Sequence, residues 1–103
     1  MKRVINGKIY NTSTATEVAS FSNGFYGNDF RNMEETLYKT KKGAWFLAGE
    51  GGPMSKYSQP CGNMTGGGKG MEVLTADEAL EWLEEKEETA AIEEHFKGRI
   101  EEA

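Results

Sequence analysis

Between Trp45 and Asn63 the chain reads WFLAGEGGPMSKYSQPCGN, which sets Glu50, Lys56, Tyr57 and the sole cysteine, Cys61, close together. A carboxylate, an amine, a phenol and a thiol at this spacing invite an acid–base or thiol chemistry. A reactive thiol needs a neighbouring base or a positive field to form the thiolate. Around Cys61 the residues QPCGN supply turn formers only, so Cys61 reads as a small packed residue. The single histidine, His95, stands among glutamates and reads as a solvent-facing helix residue, which leaves a hydrolytic triad without its base. One Cys and one His cannot complete the four tetrahedral ligands of zinc. The only aspartates, Asp29 and Asp77, fit no calcium-loop spacing. A paired-carboxylate glycosidase needs a sugar-sized cleft for which so short a chain has little room. The run GNMTGGGKG fails as a phosphate loop because Asn63 replaces its first Gly and Gly70 its Ser or Thr. GEGGPM likewise has Met54 where a dinucleotide fingerprint needs its third Gly. No reaction, cofactor or metal is expected.

The segment reads instead as a strand-to-helix corner. The strand ends at Gly49, Gly51-Gly52 allow a sharp turn, and Pro53 opens a helical turn with Met54 and Tyr57 on one side. Its functional alternative makes Glu50, Lys56 and Tyr57 a partner-binding surface, since loops on a rigid scaffold carry binding.

The elements that must hold this corner follow from local pattern. Asn6-Gly7 between Val4-Ile5 and Ile9-Tyr10 predicts a hairpin with strands near 2–5 and 8–11. Thr12, Ser13 or Thr14 offers an N-cap to Ala15, Val18 and Ala19 at helical spacing, which predicts a short helix near 14–21. SNGFYGNDFRN reads as a loop whose Phe25, Tyr26 and Phe30 fold back onto the core. A second hairpin turns at Lys41-Lys42-Gly43, with Trp45 and Leu47 on one face and Phe46 and Ala48 on the other. Residues 62–70 read as a flexible surface loop, and Met71, Val73 and Leu74 as a short strand. Thr75 and Glu78 form a capping box opening a helix that docks through Leu80 and Leu83. The run Glu84–Glu88 places like charges at i,i+4 and favours a break, after which Thr89 caps a helix carrying Ala91, Ile92 and Phe96 inward. One or two C-terminal helices are compatible with this pattern.

With 103 residues, ordinary apolar content and 11% aromatics, the chain is expected to fold as one domain, 1–103. The N-terminal MKRVINGKIY has no apolar run behind its charges, and no stretch is long enough to span a bilayer. With a single cysteine, these features predict a cytoplasmic protein. The net charge of −5 hides an asymmetry: residues 1–71 carry nine Lys/Arg against five Asp/Glu, and residues 72–103 three against twelve. The acidic third repels phosphate and attracts basic surfaces.

Nucleic-acid binding rests on Lys2, Arg3, Lys8, Arg31, Lys39, Lys41 and Lys42 among Tyr10, Tyr26, Tyr38 and Trp45. No RNP pattern or helix-turn-helix pair accompanies them, so this stands as the alternative, an accessory protein using the basic hairpin around Lys39–Lys42. Protein recognition comes first: the carboxylates Glu81, Glu84, Glu85 and Glu88 present charge where phosphates lie in a basic channel.

The order INGKIYNTSTATEVA, ETLYKTKKGAWFLAGEGGPMSKY, CGN and LTADEALEWLEE resembles a family of small, largely uncharacterised proteins from phages and bacterial mobile elements. The match runs from Ile5 to about Glu85, with GEGGPMSKY its most specific part. The resemblance supplies no catalytic motif. It implies an inhibitor of host defence, anti-CRISPR above all, whose partner is a bacterial defence protein such as a CRISPR effector complex. The resulting expectation is an α+β fold, monomer or dimer. Its antiparallel sheet of two hairpins and a short strand packs with a short N-terminal helix and one or two acidic C-terminal helices.

Overall fold

The computed structural model describes residues 1–25 and 29–103. Asn6 and Gly7 both take left-handed φ values, 53° and 76°. They turn β1 (Lys2–Ile5) back onto β2 (Lys8–Asn11) with Val4 opposite Ile9 and Arg3 opposite Tyr10. This is the hairpin that Asn-Gly encodes.

The predicted helix at 14–21 is a strand, β3 (Thr16–Ser22). Thr16, Val18 and Phe21 favour a pleated backbone. The helical spacing of Val18 and Ala19 has another origin, a bulge: Glu17 opposes Tyr38 and Ala19 opposes Leu37, leaving Val18 as the extra residue. The expected Thr/Ser cap is absent as well. The Asn11 side chain accepts the Ser13 N–H at 2.9 Å, and its carbonyl accepts from Thr14 and Ala15, which turns the chain between β2 and β3.

β4 (Met33–Lys39) and β5 (Trp45–Gly51) form the second hairpin. Its turn is closed by Thr40 N–H donating to the Ala44 carbonyl at 2.8 Å, with Gly43 at φ 89°. The stretch 62–70, expected as a flexible loop, instead holds β7 (Met64–Gly66), which turns at Gly62 to pair with β6 (Gln59–Cys61) just before it. β8 (Gly68–Leu74) begins earlier than the strand predicted at 71–74 and completes an antiparallel sheet in the order β3-β4-β5-β8.

α1 (Ala76–Glu85) starts at the predicted capping box: Glu78 N–H donates to Thr75 Oγ1 at 3.1 Å and Thr75 N–H to Glu78 Oε1 at 2.8 Å. The chain breaks where like charges crowd, with Glu87 at φ 57°. α2 (Thr89–His95) follows, but Glu88 rather than Thr89 takes the N-cap position. No helix among the described residues is long and apolar enough to cross a membrane.

The two faces of the sheet are covered differently. Ala19, Leu37, Trp45 and Leu47 meet Ala79, Trp82, Leu83, Ala91 and Phe96 of the helical layer. Phe96 stacks on Trp45 at 5.0 Å, and His95 packs edge-on against the same indole at 5.8 Å. His95 therefore lies against the core rather than facing water. Leu83 is fully buried as predicted, while Leu80 is only half-buried and Trp82 takes the larger share of the docking. On the opposite face Tyr38 stacks on Phe46 at 5.1 Å, and Tyr10 brings the β1–β2 hairpin edge-on against Phe46 at 5.6 Å. Phe25 and Phe30, expected to fold inward, are exposed, and Tyr26 lies outside the described residues. Phe25 carries the Arg31 guanidinium over its ring at 4.0 Å.

Because α1 has a reciprocal cap and docks along one stripe, Thr75→Ala is expected to lower unfolding free energy by about 1 kcal/mol. Thr75→Ser should retain most of it, as read from urea denaturation followed by far-UV circular dichroism.

Candidate functional site

Residue alternation in β4 places Glu35 on the same face as Leu37, inside the sheet–helix layer. Across the sheet it lies in one row with Phe21, Gly49 and Gly70. The two neighbouring glycines leave a trough in an otherwise side-chain-filled surface. The Tyr57 ring occupies it: a Cβ at Gly49 would overlap the ring, and one at Gly70 would lie 3.0 Å from Tyr57 Cδ1.

Three donors from two separate segments converge on the Glu35 carboxylate, which is only 3% exposed. Tyr57 Oη donates to Oε2 at 2.5 Å, Lys56 Nζ lies 2.6 Å from the same oxygen, and Trp82 Nε1 donates to Oε1 at 3.2 Å. Burial pushes the Glu35 carboxyl up, but the bonds from Lys56, Tyr57 and Trp82 and the Lys56 charge outweigh it and hold it below its usual value. Burial, then the adjacent carboxylate, drives the Tyr57 phenol far above its ordinary range, so it remains a donor. Lys56 is half-exposed and also faces Glu72 at 3.8 Å. The cluster is a buried anion with its acceptors engaged, and it ties the 52–58 segment and α1 to the sheet.

The expected partner-binding residues separate into distinct groups. Lys56 and Tyr57 meet at Glu35, and Tyr57 is buried. Glu50 projects from the other face of the sheet, directly opposite Glu34 and 3.8 Å from Lys69. The 50–57 corner is therefore not one continuous contact surface. Nor does it contain the expected helical turn. β5 runs on to Gly51, the following residues form turns closed by Ser55 N–H on Gly52 O and Ser58 N–H on Ser55 O, and Gly52 N–H on Asn32 O and Met54 N–H on Phe30 O tie them to the 30–32 segment. Met54 is exposed while Tyr57 is buried, so they do not share a side.

Glu81, Glu84 and Glu85 are exposed on α1, opposite the buried Ala79, Trp82 and Leu83. Among the described residues their side chains make no ion pair or hydrogen bond. Glu88 is half-buried where α2 begins. Farther along, Asp77 pairs with Arg99, and Glu94 lies 3.8 Å from His95. Cys61, read as packed, is exposed on β6.

The basic hairpin is divided as well. Lys41 and Lys42 join Lys8 around a cleft of ≈ 540 Å³ between the β1–β2 hairpin and the β4–β5 turn. Lys39 lies on the helix face, 5.2 Å from the Trp45 ring. Tyr10, Tyr38 and Trp45 are engaged by Phe46, Phe96 and His95.

Sequence reasoning passed over Glu35 and Trp82. Both carried a signal: in the alternation of MEETLYK (33–39) the acid at position 35 shares the face of Leu37, and Trp82 follows Ala79 by three residues on the docking stripe.

Glu35→Ala removes the acceptor of two buried donors and a charge partner, and is expected to cost about 3 kcal/mol in urea unfolding. Its depressed pKa means that the carboxylate stabilises the fold at neutral pH and that this contribution is lost as pH falls below the ordinary value of 4.5 and through the folded-state value. The stability gap between the native chain and Glu35→Gln should accordingly narrow in acid. Gly49→Ala, which collides with the Tyr57 ring, should destabilise more than Gly70→Ala; equal losses would sink the trough explanation. No protein-family model, curated protein or solved structure matches this chain.

Proposed function

We propose that this protein is a phage-type inhibitor that binds a bacterial defence protein, in the manner of an anti-CRISPR, through the acidic outer face of α1 and the start of α2. The observation that carries the reading is the uncompensated row Glu81, Glu84 and Glu85 on a helix whose other side is locked to the sheet through Leu83 and the Trp82–Glu35 bond. A rigid helix holds the carboxylates in fixed relative positions, so little ordering cost remains when a basic surface meets them. The resemblance of GEGGPMSKY and its flanking segments to proteins of phages and mobile elements supports host defence as the setting. A CRISPR effector complex is a suitable partner chemically, because its nucleic-acid channel is basic and recognises phosphate charge.

Nucleic-acid binding is the second reading, favoured by the convergence of Lys8, Lys41 and Lys42 on one cleft. It relies on phosphate contacts alone, since Tyr10, Tyr38 and Trp45 are engaged in packing rather than offered as stacking platforms.

The two readings separate by charge reversal. In a pull-down from lysate containing assembled effector complexes, the inhibitor reading expects recovery of an effector subunit that elutes on raising salt. Glu81→Lys/Glu84→Lys/Glu85→Lys should weaken that binding by more than about tenfold. Lys8→Glu/Lys41→Glu/Lys42→Glu should leave it unchanged. Retained capture by the glutamate-reversed variant, or loss only in the lysine-reversed one, would overturn the assignment.

A further inference from the structure

The sheet has two outer edges, β3 and β8, and they are not equivalent. β3 is interrupted by the Val18 bulge and carries Glu17 beside it, features that turn an edge away from further pairing. β8 is regular: all seven of its residues keep one register with β5, from Gly68 opposite Gly51 to Leu74 opposite Trp45.

The phase of its hydrogen bonds follows from the β4–β5 turn. Thr40 N–H donates to the Ala44 carbonyl, so in the alternating antiparallel ladder Phe46, Ala48 and Glu50 bond to β4. Trp45, Leu47, Gly49 and Gly51 then bond to β8, through Leu74, Glu72, Gly70 and Gly68. The N–H and C=O groups of Lys69, Met71 and Val73 therefore point away from the sheet. Among the described residues no backbone hydrogen bond outside the β5 ladder involves 68–74.

The side chains leave this edge open. Lys69, whose charge would guard it, reaches back to its cross-strand neighbour Glu50 on β5 at 3.8 Å. Val73 is 38% exposed on the same face. An unpaired, unbulged strand of this length is a template for one more antiparallel strand.

We infer that two copies of this chain pair edge to edge through β8, about a two-fold axis at Met71, to form one continuous eight-stranded sheet. Self-pairing is the occupant the edge favours because the outward row is symmetric about its middle residue. With Met71 opposite its own copy, Lys69 falls opposite Val73 and every outward N–H and C=O of the three residues finds a partner. A shift by two residues in either direction leaves some of them unpaired. This register keeps helix face with helix face. It sets Lys69 against the apolar Val73 and Glu72 against Gly70, so no like charges stand directly opposite, an arrangement that would oppose pairing. The interface is isologous and closes after two copies, because each copy spends its one regular edge.

The inference stands apart from the acidic helical face, and its test does not involve a defence protein. Sedimentation velocity over a wide concentration range is expected to show a species of twice the monomer mass. In hydrogen exchange the amides of Lys69, Met71 and Val73 should slow by more than about tenfold as concentration rises, with those of β3 unchanged. Met71→Pro deletes an outward N–H that β5 does not use, and proline is tolerated on an outer strand in that phase. It should abolish dimerisation while far-UV circular dichroism stays native. Should that variant fail to fold, the concentration-dependent exchange of the unaltered chain decides by itself. A chain monomeric at all concentrations, a dimer whose β8 amides exchange as fast as in the monomer, or a folded Met71→Pro variant that still dimerises would each overturn the proposal. Capture of an extended segment of some other protein by a chain that never self-pairs would do the same.

Discussion

A carboxylate placed between a sheet and its helices is tolerable only when its charge is balanced and its lone pairs are filled, and Glu35 imposes that requirement on the helix face here. The donors come from distant parts of the chain: Lys56 and Tyr57 from the segment after β5, Trp82 from α1. Satisfying the charge therefore fixes where these segments lie. The row Glu35, Gly49, Gly70 supplies the complementary shape, since two facing glycines admit the aromatic ring that carries the hydroxyl to the carboxylate.

This arrangement links the packing to the surface. Trp82 binds Glu35 with one side of α1, and the turns on the other side hold Glu81, Glu84 and Glu85 in water. At the far end of the sheet the positive charges of Lys8, Lys41 and Lys42 gather between two hairpins. The opposite signs read along the chain thus become separate surfaces of one body, a disposition suited to oriented approach of charged partners.

Several elements were legible because their causes are local. Asn6-Gly7 specified a hairpin through positive φ, and Thr75 with Glu78 specified a helix start through reciprocal hydrogen bonds. Crowded glutamates marked the break after α1. Thr16–Ser22 misled because Ala15, Val18 and Ala19 fall at helical spacing, and only pairing with β4 reveals that Val18 is a bulge. The glycines of 62–70 read as a loop since glycine weakens a strand, yet Gly68 and Gly70 lie where a side chain would collide with Gln59 or crowd Tyr57. Their value in β8 is the absence of a Cβ.

The candidate site divides along the same line. Sequence by itself determined the identities and spacing of the acids on α1, the segregation of charge between the two parts of the chain, and both faces of the Trp45–Ala48 strand, because these depend on composition and on periods of two or 3.6 residues. Tertiary structure alone decided that Lys56 and Tyr57 turn inward while Glu50 faces the other way, and that Trp45 is covered by Phe96 and His95. The inward turn of Lys56 and Tyr57 hinges on a buried carboxylate and a pair of facing glycines brought together from separate strands, and no local pattern encodes such a meeting.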